Sequence, residues 1–220
     1  MNNYLIISKR VWDKKNFSNL GKKFFFFKEI NKKIIKKINP KIIFFIHWSK
    51  KISKDIYTKN LCIQFHASDL PKFRGGSPIQ NQILSNIKNT KISAFKVSRN
   101  LDAGPICLKE KLNLDNDINV VFRDMEKKSL SMIKKIAQSN KIRFYAQRGK
   151  ISVVKRRRKS DSNLINKDLD NIEKISTFLK ANSANNYPKA FINLGKYKLY
   201  ISSFKKYKNN IQGKYEIRKK

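Results

Sequence analysis

Short apolar runs separated by polar segments fill the first two thirds of the chain. Their length and their content of isoleucine and phenylalanine are typical of buried β-strands. The predicted strands are residues 4–8, 24–27, 41–48, 61–65, 92–97 and 105–112. Two of them, 41–48 and 61–65, carry uninterrupted apolar stretches, as strands covered on both faces do.

Three intervening segments have helical periodicity instead. They are residues 29–38, 77–86 and 117–137. The second has a clear start signal, because Ser77 suits the cap, Pro78 the first helical position and Gln80 a capping box. Strands alternating with helices predict an α/β domain with a mainly parallel sheet over residues 1–140.

Residues 141–220 predict a small C-terminal α+β appendage. It contains a short strand, a basic cluster, a helix and a longer strand-like stretch, at residues 151–154, 155–159, 169–179 and 191–202. The remainder is interpreted as a frayed basic tail. Isoleucine and phenylalanine in this part suit either a core or a homodimer interface, and the sequence leaves both open.

Charge changes this picture only modestly. The chain has 51 Lys+Arg against 15 Asp+Glu, a formal net charge of +36. The excess runs along the whole chain, which favours a solvated background over a dedicated nucleic-acid surface. Such a background still concentrates anionic substrates near the protein. The cluster at 155–159 (KRRRK) fits either a phosphate grip or a solvated edge strand.

Several classes of protein are disfavoured. Cys62 and Cys107 lie in separate apolar runs without metal-type spacing, so we expect reduced thiols and no metal site. The chain has no run of membrane-spanning length and no signal-like start, which predicts a cytoplasmic protein with no membrane partner.

The chemistry-bearing residues follow two apolar strands. His47 and His66, the two histidines of the chain, each come at the end of such a strand. Ligands of open parallel sheets bind beyond the carboxyl ends of the strands. The loop after His66 holds two prolines and a Gly-Gly pair between residues 67 and 78, which indicates a fixed and unusual backbone path.

The segment from Gln64 to Gln80 (QFHASDLPKFRGGSPIQ) resembles the signature of the folate-dependent formyltransferases. A second element, Leu101-Asp102-Ala103-Gly104, is similar to the Leu-Asp-x-Gly element of that family. The resemblance implies a Rossmann-like sheet, N10-formyltetrahydrofolate as formyl donor, a primary amine as acceptor, and no metal. It covers residues 40–140 well.

Catalytic roles fall on His66 and Asp102. Formyl transfer needs an unprotonated amine, support for an oxyanion and a route for the departing proton, and a histidine oriented by a carboxylate serves these needs. The resemblance further implies donor-binding positions at Phe45, Ile46, His47, Ser68, Leu70, Pro71, Arg74, Gly76, Arg99 and Leu101.

Gln64 departs from the family pattern, which has asparagine two residues before the histidine. Glutamine keeps the amide donor on an arm that is one methylene longer. Three interpretations stay open. Gln64 replaces the asparagine as a third catalytic residue, or it points away from the site and the donor comes from elsewhere, or the substitution abolishes activity.

The acceptor is the least determined feature. The detailed pattern resembles short amino-sugar N-formyltransferases of the pseudaminic-acid type, which implies a nucleotide-linked amino sugar. Its binding residues would be Ser77, Arg156, Arg157, Tyr187 and Lys189. A methionyl-tRNA formyltransferase is the first alternative, although about 80 C-terminal residues leave little room for the C-terminal barrel expected of one. A non-catalytic basic nucleic-acid-binding protein is the second.

Overall fold

The computed structural model describes residues 2–11, 17, 20–165 and 169–220. The strands are β1 (Tyr4–Ser8), β2 (Phe24–Phe27), β3 (Ile42–Ile46), β4 (Cys62–His66), β5 (Arg74–Gly75), β6 (Asn89–Lys96), β7 (Ile106–Asn113), β8 (Val153–Val154), β9 (Phe191–Leu194), β10 (Tyr197–Lys206) and β11 (Ile211–Lys219). The helices are α1 (Lys32–Ile38), α2 (Lys54–Tyr57), α3 (Pro78–Leu84), α4 (Ile118–Gln138), α5 (Ile172–Ala181) and a 3₁₀ turn (Lys159–Ser162).

The main sheet has the strand order β2-β1-β3-β4-β6-β7. Strands β1 to β4 run parallel, whereas β6 and β7 pair antiparallel at one side. The prediction of a mainly parallel α/β sheet is therefore confirmed. Strand β1 lies between β2 and β3, so the chain order reverses at β1 and β3, and their carboxyl ends open a crevice suited to a ligand.

The central strands are apolar throughout because both of their faces are covered. In β3, Ile42, Phe44 and Ile46 pack in the same core as α4, while Ile43 and Phe45 pack with α1 and α2. Strands β1 and β3 are buried along their whole length. This two-sided core fixes the strand ends that carry the polar residues.

Helix α1 begins later than its periodicity suggested. The side chain of Asn31 accepts hydrogen bonds from the backbone N–H groups of Lys33 and Ile34, so it is the N-cap. Asn39 ends the helix in the left-handed conformation, with φ 44°. The predicted stop before Pro40 is confirmed.

The C-terminal part contains α5 and a three-stranded antiparallel sheet of order β11-β10-β9. The prediction of one strand over 191–202 is wrong, because the chain turns at Gly195 and splits the stretch into β9 and β10. The prediction of a frayed tail is also wrong, since β11 pairs along β10 up to Lys219. The hairpin of β10 and β11 was not predicted because both of its faces are mostly solvated. Its sequence therefore has only isolated apolar residues between lysines.

No helix among the described residues is both long and apolar enough to cross a membrane. No group of three or more potential metal ligands occurs among them either. Both cysteines are free. Burial raises the pKa of the Cys62 and Cys107 thiols to about 12, so they stay protonated and poorly reactive.

Candidate active site

A cavity of about 1740 Å³ lies beyond the carboxyl ends of β1, β3 and β4. Its walls come from these strand ends, from the start of α3, from the loop after β6 and from the segment around β8. Because the strand order reverses here, this cavity is the candidate active site.

His66 lies at the bottom of the cavity, with 5% of its surface exposed. Its Nε2 is 2.7 Å from the backbone oxygen of Phe73. A carbonyl can only accept, so Nε2 carries the proton and the lone pair of the neutral ring is on Nδ1. That Nδ1 is 3.6 Å from Oδ2 of Asp102. The ring is therefore oriented to take up a proton beside a carboxylate.

Asp102 is held in a turn at positive φ (48°) and is as buried as His66. Its Oδ2 accepts a hydrogen bond of 2.8 Å from the backbone N–H of Gly75. Two residues later, a Cβ on Gly104 would come within 1.7 Å of the backbone oxygen of Lys96. Glycine at that position lets the turn press against β6, which brings the carboxylate to the histidine.

Gln147 joins this centre from the segment after α4, and no sequence motif predicted it. Its Nε2 donates to the backbone oxygens of Asp102 and Gly104, both at 2.8 Å. Its Oε1 accepts from Nε and Nη2 of Arg74, at 3.1 and 2.7 Å. One side chain thus connects the turn that carries Asp102 to the loop after His66.

The first half of that loop is structural. Ser68, Leu70 and Pro71 are buried, and their side chains do not line the cavity. The Oγ of Ser68 donates to the backbone oxygen of Lys72, and Lys109 donates to the backbone oxygen of Leu70. These three residues, which the resemblance assigned to donor binding, instead shape the loop from beneath the cavity wall.

The second half of the loop pairs with the basic cluster. Strand β5 runs parallel to β8, and a Cβ on Gly76 would come within 2.4 Å of Cβ of Arg156. The predicted capping box at Ser77 is wrong. Ser77 takes a left-handed conformation, makes no capping hydrogen bond and instead accepts from the backbone N–H of Arg157. Only the prediction of Pro78 at the helix start holds.

His47 also lines the cavity, but its surroundings differ from those of His66. It stands at φ 49° after β3, and its ring lies 6.2 Å from that of Phe122. Burial, assisted by the charge of Arg10, lowers its pKa to about 3. His47 is therefore neutral near pH 7 and cannot serve there as an acid.

Comparison with known proteins gives the family. The Formyl transferase family model matches residues 6–136. The chain belongs to the formyltransferase family. Its members take the formyl group from N10-formyltetrahydrofolate.

A curated relative, methionyl-tRNA formyltransferase of Kosmotoga olearia, is 40% identical over 75 residues. That alignment covers 34% of this chain and 24% of the relative. The chain thus matches about a quarter of the length of such relatives.

Two solved structures extend the likeness to the whole fold. A structure named methionyl-tRNA formyltransferase, from Clostridium thermocellum, has 33% identity and a TM-score of 0.89, with 100% of both chains covered. A sugar N-formyltransferase from Shewanella has 16% identity and a TM-score of 0.72, covering 91% of this chain and 96% of that one. The second likeness concerns the fold alone.

The residues predicted to bind the donor divide into a group that is buried in the cores and a group that lines the cavity. Phe45 and Ile46 are fully buried in the cores, so their side chains cannot touch a ligand. Arg99 and Leu101 line the cavity in the loop after β6, and Leu101 is 67% exposed. Gln64, half-buried on β4, lines the same cavity as His66.

On the acceptor side, Arg156 and Tyr187 line the cavity, and Arg156 reaches the backbone oxygen of Ser49 at 3.5 Å. Arg157 also borders it, but its guanidinium donates to the backbone oxygen of Asp161 and to Asn182. Burial lowers the pKa of Arg157.

Lys189 does not join the cavity lining. It donates to the backbone oxygens of Ser183 and Ala184, and burial lowers the pKa of its amine. This contact ties together the segment after α5, so the structure gives Lys189 a structural position instead of the expected acceptor contact.

The sequence reading missed Lys9, Arg10 and Trp48, which line the cavity at the ends of β1 and β3. The guanidinium of Arg10 lies 3.8 Å from the centre of the Tyr187 ring. A signal was available, because Lys9 and Arg10 directly follow the first apolar run and carboxyl ends of parallel strands share one edge.

Proposed function

We propose that this chain transfers the formyl group of N10-formyltetrahydrofolate to the primary amine of a nucleotide-linked amino sugar. One observation carries the choice of acceptor: the pairing of β5 with β8 brings Arg156 to the cavity that contains His66 and Asp102. A guanidinium within the same cavity suits a diphosphate attached to the reacting sugar.

The reaction forms a bond between the acceptor nitrogen and the formyl carbon and breaks the bond from that carbon to N10 of the folate. One proton leaves the acceptor amine, and one is gained by the departing folate nitrogen. His66 is the carrier, receiving the proton at Nδ1 while Phe73 holds Nε2. Asp102, 3.6 Å away, stabilises the imidazolium that results.

Gln64 supplies the remaining part of the machinery in this proposal. Negative charge grows on the formyl oxygen as the amine adds, and a side-chain amide facing the cavity is a suitable donor to it. The position of Gln64 along the same wall as His66 favours the interpretation that it works in place of the family asparagine.

The donor would lie against the loop after β6, where Val97 and Leu101 offer apolar surface and Arg99 a positive charge. A folate has a flat ring at one end and carboxylates at the other, so this combination fits both ends. The folate supplies the activated formyl carbon, and the protein residues orient it and move the proton.

The acceptor would lie on the opposite side, towards β1 and β3. Lys9, Arg10 and Lys50 line that side together with Arg156. Lys9 and Lys50 both pair with Glu29, at 3.3 and 3.6 Å, which leaves Arg10 and Arg156 as the cations best suited to an anionic group. Tyr187, stacked on Phe122, gives a flat surface beside them.

Methionyl-tRNA is the second candidate acceptor. The names of the relatives from Kosmotoga and Clostridium favour it. So does the C-terminal sheet, where the exposed Tyr197, Tyr207 and Tyr215 alternate with lysines, as surfaces for nucleic acid do. Membership of an enzyme family disfavours the non-catalytic alternative.

The test supplies N10-formyltetrahydrofolate with either a nucleotide-linked amino sugar or methionyl-tRNA and follows tetrahydrofolate release. We expect turnover with the sugar, and turnover restricted to aminoacyl-tRNA would contradict the proposal. Asp102→Asn should lower kcat about a hundredfold, because the amide cannot stabilise the protonated ring. The thermal transition of the variant should stay near that of the wild type, and near-normal kcat would show that the pair is misplaced.

A further inference from the structure

We propose that Gln147 is a positioning residue for the transfer reaction, which sets the place of Asp102 by donating to the backbone of its turn. The proposal rests on the proposed function. It concerns a residue outside the signature segments at 64–80 and 101–104, in a segment that otherwise leads only from α4 to β8.

The Asp102 turn is contacted by Gly75 and by Gln147. Asp102 stands at φ 48°, a conformation that non-glycine side chains rarely adopt and that its surroundings must maintain. Its carboxylate is held from one side by the backbone N–H of Gly75. Its backbone oxygen, and that of Gly104, are held from the other side by the same amide nitrogen of Gln147. The turn is therefore clamped between two contacts.

Gln147 is itself fixed in place before it makes these contacts. Ile106 and Tyr145 form a two-way backbone bridge, with both hydrogen bonds at 2.8 Å. This bridge anchors the segment two residues before Gln147 against the start of β7. The amide oxygen of Gln147 is further held by the guanidinium of Arg74. The nitrogen therefore points towards the turn.

The amide is suited to this position for a chemical reason. The site needs an acceptor for Arg74 and a donor for two carbonyl oxygens, and glutamine offers both on one planar group. Glutamate would keep the acceptor and lose the donor. Alanine would lose both. Comparing the two substitutions separates the role towards Asp102 from the role towards Arg74.

The consequence for catalysis follows from distance. Asp102 acts on His66 across 3.6 Å, and Gly75, its other contact, neighbours Arg74. When the clamp is lost, the turn relaxes and the carboxylate no longer faces Nδ1 in a fixed orientation. A displacement of about 1 Å in such a group costs on the order of a hundredfold in rate.

The experiment compares Gln147→Ala and Gln147→Glu with the wild type. We expect kcat to fall about tenfold to a hundredfold in both, with the KM for either substrate changed by less than about threefold. Gln138→Ala is the matched control, because Gln138 is exposed at the end of α4 and outside the cavity. Wild-type kcat in Gln147→Glu would overturn the proposal, since that variant has no donor for the turn.

A readout independent of activity separates this proposal from the proposed function. The chain has two histidines, so the ring resonances of His66 and His47 can be resolved by NMR. We expect those of His66 to move in both Gln147 variants and those of His47 to stay. A lowered thermal transition with unmoved His66 resonances would show a purely structural role and overturn the proposal. Absence of formyl transfer in the wild type would instead refute the proposed function and leave this readout valid.

Discussion

The ends of β3 and β4 make the most instructive comparison in this molecule. Each strand is buried, the two are parallel neighbours, and a histidine stands at or just after the end of each. His66 meets a carbonyl on one nitrogen and a carboxylate on the other. His47 is half-buried next to the ring of Phe122 and near the charge of Arg10. The same residue type at equivalent places therefore has different partners, a carboxylate in one case and an aromatic ring with a nearby arginine in the other.

The difference teaches that the end of a strand fixes where a side chain lies, whereas the loop after the strand determines which groups that side chain contacts. Behind β4, the loop folds back so that Phe73 and Gly75 reach the histidine and its carboxylate. Behind β3, the chain continues into Trp48 and Ile52, which pack in the apolar core on that side of the sheet. Burial and the charge of Arg10 lower the pKa of His47 and keep it neutral near pH 7.

The largest expected effect tests whether only one of the two histidines carries the proton. His66→Ala should lower kcat about a thousandfold, because it removes the group that exchanges protons with the amine. His47→Asn should lower kcat less than about tenfold in the same tetrahydrofolate-release assay. Asparagine tolerates the left-handed backbone at this position, so the second variant keeps the local fold. Equal losses in the two variants would remove the distinction drawn here.

The second prediction uses pH to examine His47 alone. Its folded-state pKa of about 3 lies below the ordinary histidine value of 6.5. Between these values the unfolded chain binds a proton that the folded chain does not, so stability falls as the pH drops through this window. At pH 4.5 this costs about 3 kcal/mol of unfolding free energy relative to pH 7.

Urea denaturation of the wild type and of His47→Asn at both pH values measures that cost. The asparagine variant lacks the ionisation, so it should lose about 3 kcal/mol less than the wild type over the same interval. A stability difference between the two proteins that does not change with pH would mean that the imidazole is solvated in the native state.

The smallest expected effect concerns the acceptor side at the β1 end. Arg10→Ala should raise the KM for the acceptor about tenfold and change kcat little, because a charge-assisted contact to an anionic group is lost. Arg148→Ala is the control, since Arg148 is exposed and outside the cavity lining. An unchanged acceptor KM in Arg10→Ala would move the anion-binding role to Arg156.

Much of the fold and the reactive pair could be predicted from local sequence. An uninterrupted apolar run such as 42–46 is stable only where layers of structure cover both of its faces. Strands of this kind are typical of parallel sheets, so the composition of the run predicts both the strand and its parallel neighbours. His66, Asp102 and Gly104 belong to two short sequence motifs. Their order and spacing along the chain were therefore enough to predict that they belong to one site. The hairpin of β10 and β11 was not predicted, because its solvated faces leave no strong apolar period.

The residues of the loop after His66 show which features a sequence pattern does not predict, namely side-chain burial and contacts between distant segments. Ser68, Leu70 and Pro71 stood out by sequence, yet they are buried supports, whereas Gln64 faces the cavity. Ser77 looked like a helix cap and instead receives a hydrogen bond from Arg157, 80 positions away. Such pairings depend on which surfaces the chain brings together, and no neighbour in sequence encodes them.

By itself, then, the sequence determined the α/β sheet, the reactive loop and the His66–Asp102 pair, because each arises from apolar periodicity or from short segments. Only the tertiary structure decided that His66 lies beside a carboxylate, that Arg156 and Arg10 line the same cavity, and that Gln147 donates to the turn of Asp102. The physical reason is that solvation, charge and hydrogen-bond partners are properties of the folded surroundings, and these are assembled from residues far apart in the chain.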